Sequence, residues 1–518
     1  MSETGARKWI ITLTVILASV IELVDTSIVN VALPQMMGNL GATLDEVAWV
    51  VTAYVVANVI VVPMTGFLAA AFGRRNYFAG SIVLFTVASF FCGHATNIWE
   101  LVAFRFIQGI GGGALLSTSQ AILVETFPPE ELGLANGLFG LGVVVGPTLG
   151  PTLGGWITDN YSWPWIFYVN LPIGIVATLL TMSFIRESRD RREVGAIDFA
   201  GIALLIVGIG SLQIVLERGE RDDWFAAPYI TVLTILSAAG VAGFIWRELA
   251  AEHPVVDLRV FKDRSLAVGT LFTFILGFGL YSSVFIFPVF AQNLLGFTAM
   301  QTGLILLPGG MATAFMMPIV GKLLQRRVPA QLMNALGFIC FFFFTYLLSK
   351  STLDSGRQDF FWPLILRGLG LGLLFVPLTT MALSGLRGKD IPQGAGMTNM
   401  MRQLGGSFGV ALIATYIQKR SWSHRQTLLE HVTIYDPTLR DRFHAIVSGL
   451  MAKGSTLVEA QQQAYGAIEG MVARQTFLLT YMDAFRIVGV FFLCCIPLLL
   501  LFKRRRGGEA GGAPVMAH

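Results

Sequence analysis

The chain has 518 residues, of which 54% are hydrophobic and 13% are charged, and its mean hydropathy is +0.67. Ordinary soluble domains carry about twice that share of charged residues, so the composition excludes a soluble enzyme or binding module. The net charge of +4 does not indicate nucleic-acid binding, because the basic residues lie in short loops between apolar runs.

Fourteen apolar runs follow one another along the chain, each about as long as the roughly 20 residues that cross a bilayer as a helix. Backbone groups in lipid must be hydrogen-bonded within their own segment, so such runs form helices. The predicted spans are 9–33, 47–71, 77–95, 99–126, 133–158, 164–185, 197–217, 228–250, 266–292, 300–322, 330–350, 359–386, 394–417 and 477–501. We expect no cleaved signal peptide, because the first run is too long for one.

Lysine and arginine are distributed unevenly between the two sides of the predicted membrane. Both termini and most loops after even-numbered spans are basic, whereas the short loops 34–46, 95–98, 159–163 and 293–299 contain neither residue. Basic loops remain in the cytoplasm. The sequence therefore predicts a multi-pass, all-α membrane protein with both termini in the cytoplasm.

Two carboxylates and an arginine lie inside spans 1 and 4, where a charged side chain is costly. Asp25 is about 24 Å from the start of span 1, and Glu22 precedes it by one turn on the same face. Arg105 lies at a comparable depth. We interpret the three as a proton-coupling site, because neighbouring carboxylates favour proton uptake by one of them. A structural Asp25–Arg105 pair is the alternative, and Glu22 could instead line a pocket for cationic substrates.

Other polar or amphipathic side chains within the spans are candidates for a substrate pocket. They are Tyr54, Asn58, Gln108, Tyr281, Asn399, Arg402 and Gln403. Hydrogen bonding between helices is the alternative for each. The phenylalanine run 341–344 in span 11 is expected to face lipid, and Asp483 and Arg486 in span 14 are expected to pair with each other.

Span 5 contains a regular stripe of small residues interrupted by prolines. The residues are Gly142, Gly146, Pro147, Gly150, Pro151 and Gly154. Glycine at every fourth position predicts a smooth helix face that another helix approaches closely, and proline removes helix hydrogen bonds and bends the helix. Packing alone would explain the stripe, but close sliding contact also suits a conformational change, and we assign the stripe to that role.

Six pairs of glycines at one offset of 259 residues indicate an internal repeat. The first set is Gly109, Gly111, Gly113, Gly137, Gly146 and Gly150, and the second is Gly368, Gly370, Gly372, Gly396, Gly405 and Gly409. Such a repeat predicts two bundles of six spans, an architecture of many secondary transporters; chance pairing is the alternative. The predicted domains are a bundle at 1–186, an inserted helix pair at 187–265, a bundle at 266–506 with an extracytoplasmic segment at 418–476, and a flexible cytoplasmic tail at 507–518.

Seven motifs occur in order along nearly the whole chain. They are LVDTSIVNVALP, RFIQGIGGG, GVVVGPTLGPTLGG, WPWIFYVNLPIG, ERGERDDWF, PVVDLRVF and NMMRQLGGSFG. Together they resemble the major facilitator superfamily, and within it the fourteen-span drug:proton antiporters of the EmrB/QacA type. The resemblance implies two pseudo-symmetric six-helix bundles plus two inserted helices. It also implies export of hydrophobic or amphipathic drugs across the bacterial inner membrane, driven by the proton gradient without a cofactor.

The loop between spans 2 and 3 departs from the superfamily's pattern. It reads GFLAAAFGRR, with Ala70 where the superfamily has an aspartate. The acidic latch that this aspartate forms in the superfamily must therefore be missing or built differently. Gly66, Gly73 and Arg74 retain the pattern, and we assign them to the conformational motif.

The resemblance also implies partners. EmrB-like pumps carry an extracytoplasmic loop and work with a periplasmic adaptor, an EmrA-like membrane fusion protein, that leads to an outer-membrane channel. The segment 418–476 would dock this adaptor, and a solvated spacer is the alternative. For the whole chain the alternatives are a uniporter, an exporter of one metabolite such as a fatty acid or siderophore, and a membrane-embedded sensor or enzyme. No metal spacing, P-loop or catalytic set in the sequence supports the last of these.

Overall fold

A computed structural model describes residues 5–128, 131–187, 198–326, 328–386, 390–433 and 435–501. The α-helices in these ranges are α1 (Ala6–Leu40), α2 (Leu44–Phe72), α3 (Arg74–His94), α4 (Ile98–Thr126), α5 (Leu132–Asn160), α6 (Trp165–Tyr168), α7 (Asn170–Phe184), α8 (Phe199–Leu205), α9 (Ser211–Arg218), α10 (Pro228–Ala250), α11 (Arg264–Val289), α12 (Ala299–Gln325), α13 (Ala330–Leu348), α14 (Arg357–Leu383), α15 (Asp390–Glu430), α16 (Pro437–Met451) and α17 (Leu457–Cys495). The predicted tail 507–518 lies outside the described residues.

Every predicted span corresponds to a helical segment. Spans 1–5 are α1–α5, and span 6 is α6 with α7. Span 7 is α8 and α9, joined by the π-helical turn Ile206–Gly210, and span 8 is α10. Spans 9–13 are α11–α15, and span 14 is α17. Within the described ranges, twelve helical segments are long and apolar enough to cross a membrane by length and composition alone. The two predicted spans outside that set, α5 and α15, are rich in glycine.

Loop chemistry fixes where several helices begin. Before α2, Glu46 N donates to Thr43 Oγ1 (3.3 Å), and Thr43 N donates to Glu46 Oε2 (2.8 Å). The same reciprocal cap begins α12 at Thr298 and α17 at Thr456. These caps satisfy amide groups that the first turn of a helix leaves free, so the helices start at defined residues in short polar loops.

The glycine repeat corresponds to equivalent packing in two halves of the molecule. We call α1–α7 the N-half and α11–α17 the C-half. In the N-half, Gly109 lets α4 approach the backbone of α2, and in the C-half Gly368 lets α14 approach the backbone of α12. In the same way Gly146 lies against α1, and its counterpart Gly405 lies against α11. A larger side chain at any of these positions would push the two helices apart.

The halves meet along α2–α15 and α5–α12. We call the end of the bundle where α1 begins the terminal face, and the other end the opposite face. Close to the terminal face, Gly133 of α5 lies against Gly321 of α12, where an added Cβ would be 2.8 Å from the carbonyl oxygen. Gly66 of α2 lies against Gln393 of α15 in the same region. The backbones of the halves are therefore in contact at this end.

Two hydrogen bonds, one buried and one partly buried, also join the halves on this side. Asn399 Nδ2 of α15 donates to Gln120 Oε1 of α4 (2.9 Å). Asn136 Nδ2 of α5 donates to Thr380 Oγ1 of α14 (3.1 Å). Both bonds lie between the centre and the terminal face, so the bundle is closed towards that face.

The helices α8–α10 form the inserted pair. Its two spans pack on each other where Gly208 of the π-helical turn lies against Gly240 of α10. Its apolar side joins one buried cluster with α2 and α15, which includes Val59, Ile209 and Met400. The inserted pair therefore lies beside the α2–α15 junction and touches both halves.

The segment 418–476 is built differently from the sequence prediction. Span ends were expected near 417 and 477, but α15 continues without a break to Glu430 and α17 already begins at Leu457. With 41 residues, α15 is about 60 Å long, twice the thickness of the hydrocarbon core. Both helices therefore project from the opposite face. The helix α16, which lies between them in the chain, packs on α17. We call residues 418–476 the extramembrane unit.

Two smaller expectations also need correction. The phenylalanine run is not uniformly lipid-facing, because Phe341 and Phe344 are fully buried and only Phe343 is largely exposed. Asp483 does contact Arg486 (3.3 Å), but it is closer to Arg420 and His424 of α15, at 2.9 Å each. Helical periodicity explains the first result, since adjacent residues point in different directions. The second depends on the unexpected length of α15.

Candidate functional site

Asp25 of α1 and Arg105 of α4 form an enclosed ion pair. Arg105 Nη1 donates to Asp25 Oδ2 at 2.5 Å, and neither side chain is more than 1% exposed. Asp25 Oδ1 accepts from Gln108 Nε2 (3.0 Å) and from Asn170 Nδ2 of α7 (2.8 Å). Both carboxylate oxygens thus have donors, and the network ties three helices of the N-half together.

The guanidinium of Arg105 is held on its other sides as well. It lies 4.1 Å from the centre of the Tyr54 ring, which provides a cation–π contact. Its Nε donates to Val50 O at 3.2 Å, and its Nη1 also donates to Gln108 Oε1 at 2.8 Å. Tyr54 and Gln108, predicted as pocket residues, therefore belong to the ion-pair network, and their pocket role stays a prediction.

Asn170 was not among the sequence candidates. It begins α7 and donates to Ser89 Oγ (3.0 Å) as well as to Asp25. A polar residue within the otherwise apolar WPWIFYVNLPIG motif is the signal that would have identified it. Sequence spacing could not have paired it with Asp25, because 145 residues separate the two.

Glu22 has different surroundings from Asp25, although one turn separates them. Its Oε1 accepts from Asn58 Nδ2 of α2 (3.1 Å), while Oε2 is buried without a hydrogen-bond partner. Only 5% of the residue is exposed. Arg402 of the C-half lies within electrostatic reach. Glu22 is therefore the acidic group that faces the other half of the molecule.

Arg402 and Arg367 are the buried cations of the C-half, at 2% and 6% exposure. Arg402 lies beside the ring of Phe375 (5.6 Å) and hydrogen-bonds to Tyr281, and its Nε has no partner. Arg367, which was not among the sequence candidates, donates from Nε to Ser283 Oγ (3.0 Å). Neither forms an ion pair with a carboxylate within the described part of the chain. Buried cations inside a membrane protein usually mark a functional path.

The remaining pocket candidates separate into two groups. Asn58, Tyr281 and Arg402 surround the centre with Glu22. Asn399 instead closes the terminal side through Gln120, and Gln403 is only partly buried on α15. The centre of the molecule thus presents Glu22 from the N-half and Arg402 from the C-half.

The glycine stripe of α5 packs inside the N-half rather than between the halves. A Cβ on Gly146 would lie 2.6 Å from Leu23 Cβ, and one on Gly154 would lie 2.8 Å from Ile28. Gly142 and Gly150 also face α1. The expected sliding contact between halves is instead made by another face of α5, where Gly137 meets Met317. Sequence spacing identifies a smooth face but not the helix that covers it.

The basic turn between α2 and α3 has acidic partners although position 70 is alanine. Gly73 has a φ of +81°, which favours glycine, and the carboxylate of Glu187 lies where a Cβ would be. Glu187 Oε1 accepts from Arg75 N (3.3 Å), and Arg74 pairs with Glu125 at the end of α4. Glu125 and Glu187 thus provide the negative charge that position 70 lacks.

The comparison with protein families agrees with this arrangement. The profile described as the Major Facilitator Superfamily matches residues 15–410. The chain belongs to the major facilitator superfamily. It is accordingly a membrane transporter and not an enzyme, as its sequence predicted.

Curated relatives match over nearly the full length. The chain is 35% identical to the fatty acid resistance protein FarB of Neisseria gonorrhoeae over 495 residues, which cover 95% of this chain and 96% of FarB. It is 34% identical to the multidrug export protein EmrB of Escherichia coli K12 over 511 residues, which cover 98% of each chain.

Solved structures of this superfamily share the fold. The human organic anion transporter MFSD10 superposes with a TM-score of 0.61 and 14% identity, covering 96% of this chain and all of that one. The proton:xylose symporter XylE superposes with a TM-score of 0.59 and 14% identity, covering 95% and 96%. At this identity the likeness concerns the fold alone.

Proposed function

We propose that this transporter exports hydrophobic or amphipathic toxic compounds across the bacterial inner membrane by proton antiport and alternating access. The similarity to a multidrug export protein over 98% of both chains supports the class of substrate. The observation that carries the proton coupling is Glu22, a buried carboxylate with one unpartnered oxygen at the junction of the halves.

Protonation of Glu22 would change the balance between two arrangements of the halves. The ionised carboxylate attracts Arg402 across the junction, and protonation removes this attraction. A ligand shifts a conformational equilibrium only through a difference in its interaction with the two states, and a charge pair between halves provides one for the proton. Asp25 would exchange a proton only after its hydrogen-bond donors move. The Asp25–Arg105 pair would therefore respond in a second step, linked to the protonation of Glu22.

The distribution of basic loops supports a cytoplasmic terminal face. In that orientation this arrangement is closed towards the cytoplasm. In an outward-open state the central residues would be reached from the opposite face, the side with the higher proton concentration across an energised membrane. Uptake of a proton from outside and release of substrate to outside would therefore occur in the same state.

A second candidate substrate class is the amphiphilic carboxylate, including fatty acids. Arg402 and Arg367 are buried in the C-half without an ion-paired carboxylate among the described residues, so an anionic head group would neutralise them. The similarity to a fatty acid resistance protein agrees with this candidate. Arg402→Gln should then lose export of carboxylates while retaining export of neutral drugs.

The proposed role of the extramembrane unit is to bind a periplasmic adaptor, which leads to an outer-membrane channel. Its apolar side chains include Tyr435, Val458 and Tyr465, which are 86%, 65% and 65% exposed. Strongly exposed apolar residues outside the membrane are available for contact with another protein. The proposed occupant is an EmrA-like adaptor.

The proposal is tested with purified protein in sealed vesicles that contain a pH-sensitive dye. Addition of a hydrophobic drug should release protons from vesicles with an imposed pH gradient, and collapse of the gradient should stop drug transport. An Arg357→Gln protein, altered on an exposed helix end, is the matched control and should behave like the wild type. Drug transport that is indifferent to the gradient would favour a uniporter.

A further inference from the structure

The inserted pair ends in a polar group of side chains that contacts both halves near the opposite face. On the N-half side, Arg218 Nη1 donates to Asp45 O (3.2 Å), and its guanidinium lies 5.2 Å from the centre of the Trp49 ring. Arg221 forms an ion pair with the Asp45 carboxylate at 2.9 Å. Three contacts thus fix the end of α9 to the start of α2.

On the C-half side, two hydrogen bonds fix the same region to α15. Gln213 Nε2 donates to Ser407 Oγ (2.7 Å), and Trp224 Nε1 donates to Thr415 Oγ1 (2.9 Å). Because α2 and α15 belong to different halves, any relative movement of the halves at the opposite face must stretch or break one of these two sets of contacts.

Glu217 lies at the centre of the connection to α15. It accepts from Gln213 Nε2 (2.9 Å) and from Ser407. Both donors are neutral, and no ion pair involves Glu217 within the described ranges. Gln213 is fully buried, and its other amide atom, Oε1, has no partner. An acceptor without a donor therefore lies beside a carboxylate without a cation.

Charged and titratable groups surround α9, but each has its own partner. On the inserted pair, Arg218 forms an ion pair with Asp222, and Asp222 also accepts a hydrogen bond from Tyr229. Arg221 forms an ion pair with Asp45 of α2. Glu46 of α2 bonds Thr43, and Arg402 of α15 bonds Tyr281 in the centre. None of them neutralises Glu217.

We propose that Glu217 is a proton-binding site separate from the central one, and that its protonation loosens the attachment of the inserted pair to α15. The ionised carboxylate accepts from Gln213 Nε2, which at the same time holds Ser407. The protonated acid has a hydrogen to donate, and the free acceptor nearby is Gln213 Oε1. Turning the amide to meet that hydrogen withdraws Nε2 from Ser407, which weakens the connection and leaves the Trp224–Thr415 bond to hold the inserted pair on α15.

The proton comes from water and returns to it. Glu217 is the second-last residue of α9 and is only partly buried, so water at the opposite face reaches it without crossing the bundle. No other bond forms or breaks. The site therefore couples external pH to the position of α15, which carries Arg402 and Asn399. This proposal goes beyond the proposed function, since it requires neither substrate nor transport.

The test is a distance measurement between nitroxide labels on the inserted pair and on α15. Labels at Val232→Cys and Leu412→Cys, both exposed positions, are placed in a protein whose four native cysteines are replaced. Without substrate or gradient, the distance distribution should shift between pH 8 and pH 5. Glu217→Gln should remove the shift, and Glu217→Asp should retain it. A shift unchanged in Glu217→Gln, or no shift in the wild type, would overturn the proposal.

Three further proteins control for folding and for the central site. Glu220→Gln removes the same charge three residues further on and should respond like the wild type. The comparison is repeated in a Glu22→Gln background, where the shift that depends on Glu217 should remain, so failure of central proton coupling is distinguishable from failure of this site. If Glu217→Gln does not fold, Gln213→Leu should abolish the shift in its place, and a wild-type response from it would count against the mechanism.

Discussion

Asp25 and Glu22 lie one turn apart on α1, yet the structure gives them different surroundings. Asp25 has every oxygen bonded within the N-half, whereas Glu22 leaves one oxygen free at the junction of the halves. A group that changes its protonation during a cycle needs a change of partner between states. Glu22, with one free oxygen and Arg402 of the other half within electrostatic reach, meets this condition. Asp25, whose partners all belong to the N-half, does not.

We therefore expect Glu22→Gln to abolish the dependence of export on the pH gradient for every substrate. Glutamine keeps the bond from Asn58 to Oε1 but carries no charge to attract Arg402. The measurement is drug-driven proton release in vesicles. If the Glu22→Gln protein still exports drugs in a gradient-dependent manner, Asp25 and not Glu22 is the proton carrier.

For the Asp25–Arg105 pair we expect a coupled effect on stability. Asp25→Asn and Arg105→Ala should each lower the apparent free energy of unfolding in detergent by about 3–5 kcal/mol, because each leaves a buried partner without its counter-charge. The double variant should lose no more than the worse single variant, as interacting residues do. Additive losses in a double-mutant cycle would show that the pair is not coupled.

At the scale of helices, the same residue type has two uses within α5. Gly146 lets α5 pack on α1 inside the N-half, while Gly137 lets α5 touch α12 across the junction. The first contact is permanent if each half moves as a rigid body. The second must form and break as the terminal face closes and opens.

Leucine at these two positions should therefore have different effects. Gly146→Leu should lower stability, by about 1–3 kcal/mol as overpacking generally does, and leave the conformational preference unchanged. Gly137→Leu should fold normally but hold the terminal face open, which slows transport and raises cysteine labelling from that side. Identical effects of the two substitutions would mean that the halves do not separate at Gly137.

At the scale of the whole molecule, the closed terminal face depends on few polar contacts. One is the bond from Asn399 to Gln120 (2.9 Å). A hydrogen bond contributes about 1 kcal/mol net, which is about a fivefold change in a two-state ratio.

Asn399→Ala should accordingly shift the population towards the state with an open terminal face by up to about fivefold. Spin-label distances across that face measure the shift. Thr398→Ala is the control, because Thr398 bonds only to its own helix. An equal shift in the control would mean that the inter-half bond is not the cause.

The extramembrane unit belongs to the C-half by chain but lies outside the bundle. Deletion of 425–470 leaves Arg420, His424 and Asp483 in place, so the pairing of α15 with α17 at the membrane surface is retained. Export in vesicles should survive this deletion. Drug resistance in a cell with two membranes should be lost, because the adaptor has no site.

Parallel assays of vesicle transport and cell resistance on this deletion check the expectation. Loss of both activities would mean that the unit gates the transporter, and retention of both would mean that it is a spacer. A protein with Tyr435→Ser, Val458→Ser and Tyr465→Ser provides a finer comparison, since it keeps the helices and removes only the exposed apolar side chains.

Much of this protein follows from sequence because the bilayer allows few alternatives. Apolar segments of this length form helices in lipid, so fourteen apolar runs are sufficient to predict fourteen helical segments. A charge in lipid is costly, so Glu22, Asp25, Arg105 and Arg402 are conspicuous without any structure. The glycine pairs at one offset are likewise visible, because both halves use the same close helix contacts.

Which groups meet cannot be read from the sequence and follows from the packing of the helices. Asn170 reaches Asp25 across 145 residues, the α5 stripe covers α1 and not the other half, and Gln108 binds Arg105 where the sequence suggested a pocket. The helices α15 and α17 are also longer than predicted. Their outer parts lie in water, where a helix need not be apolar, so hydropathy does not show where these helices end. These properties depend on distances between helices, and periodicity along one helix contains no information about its neighbours.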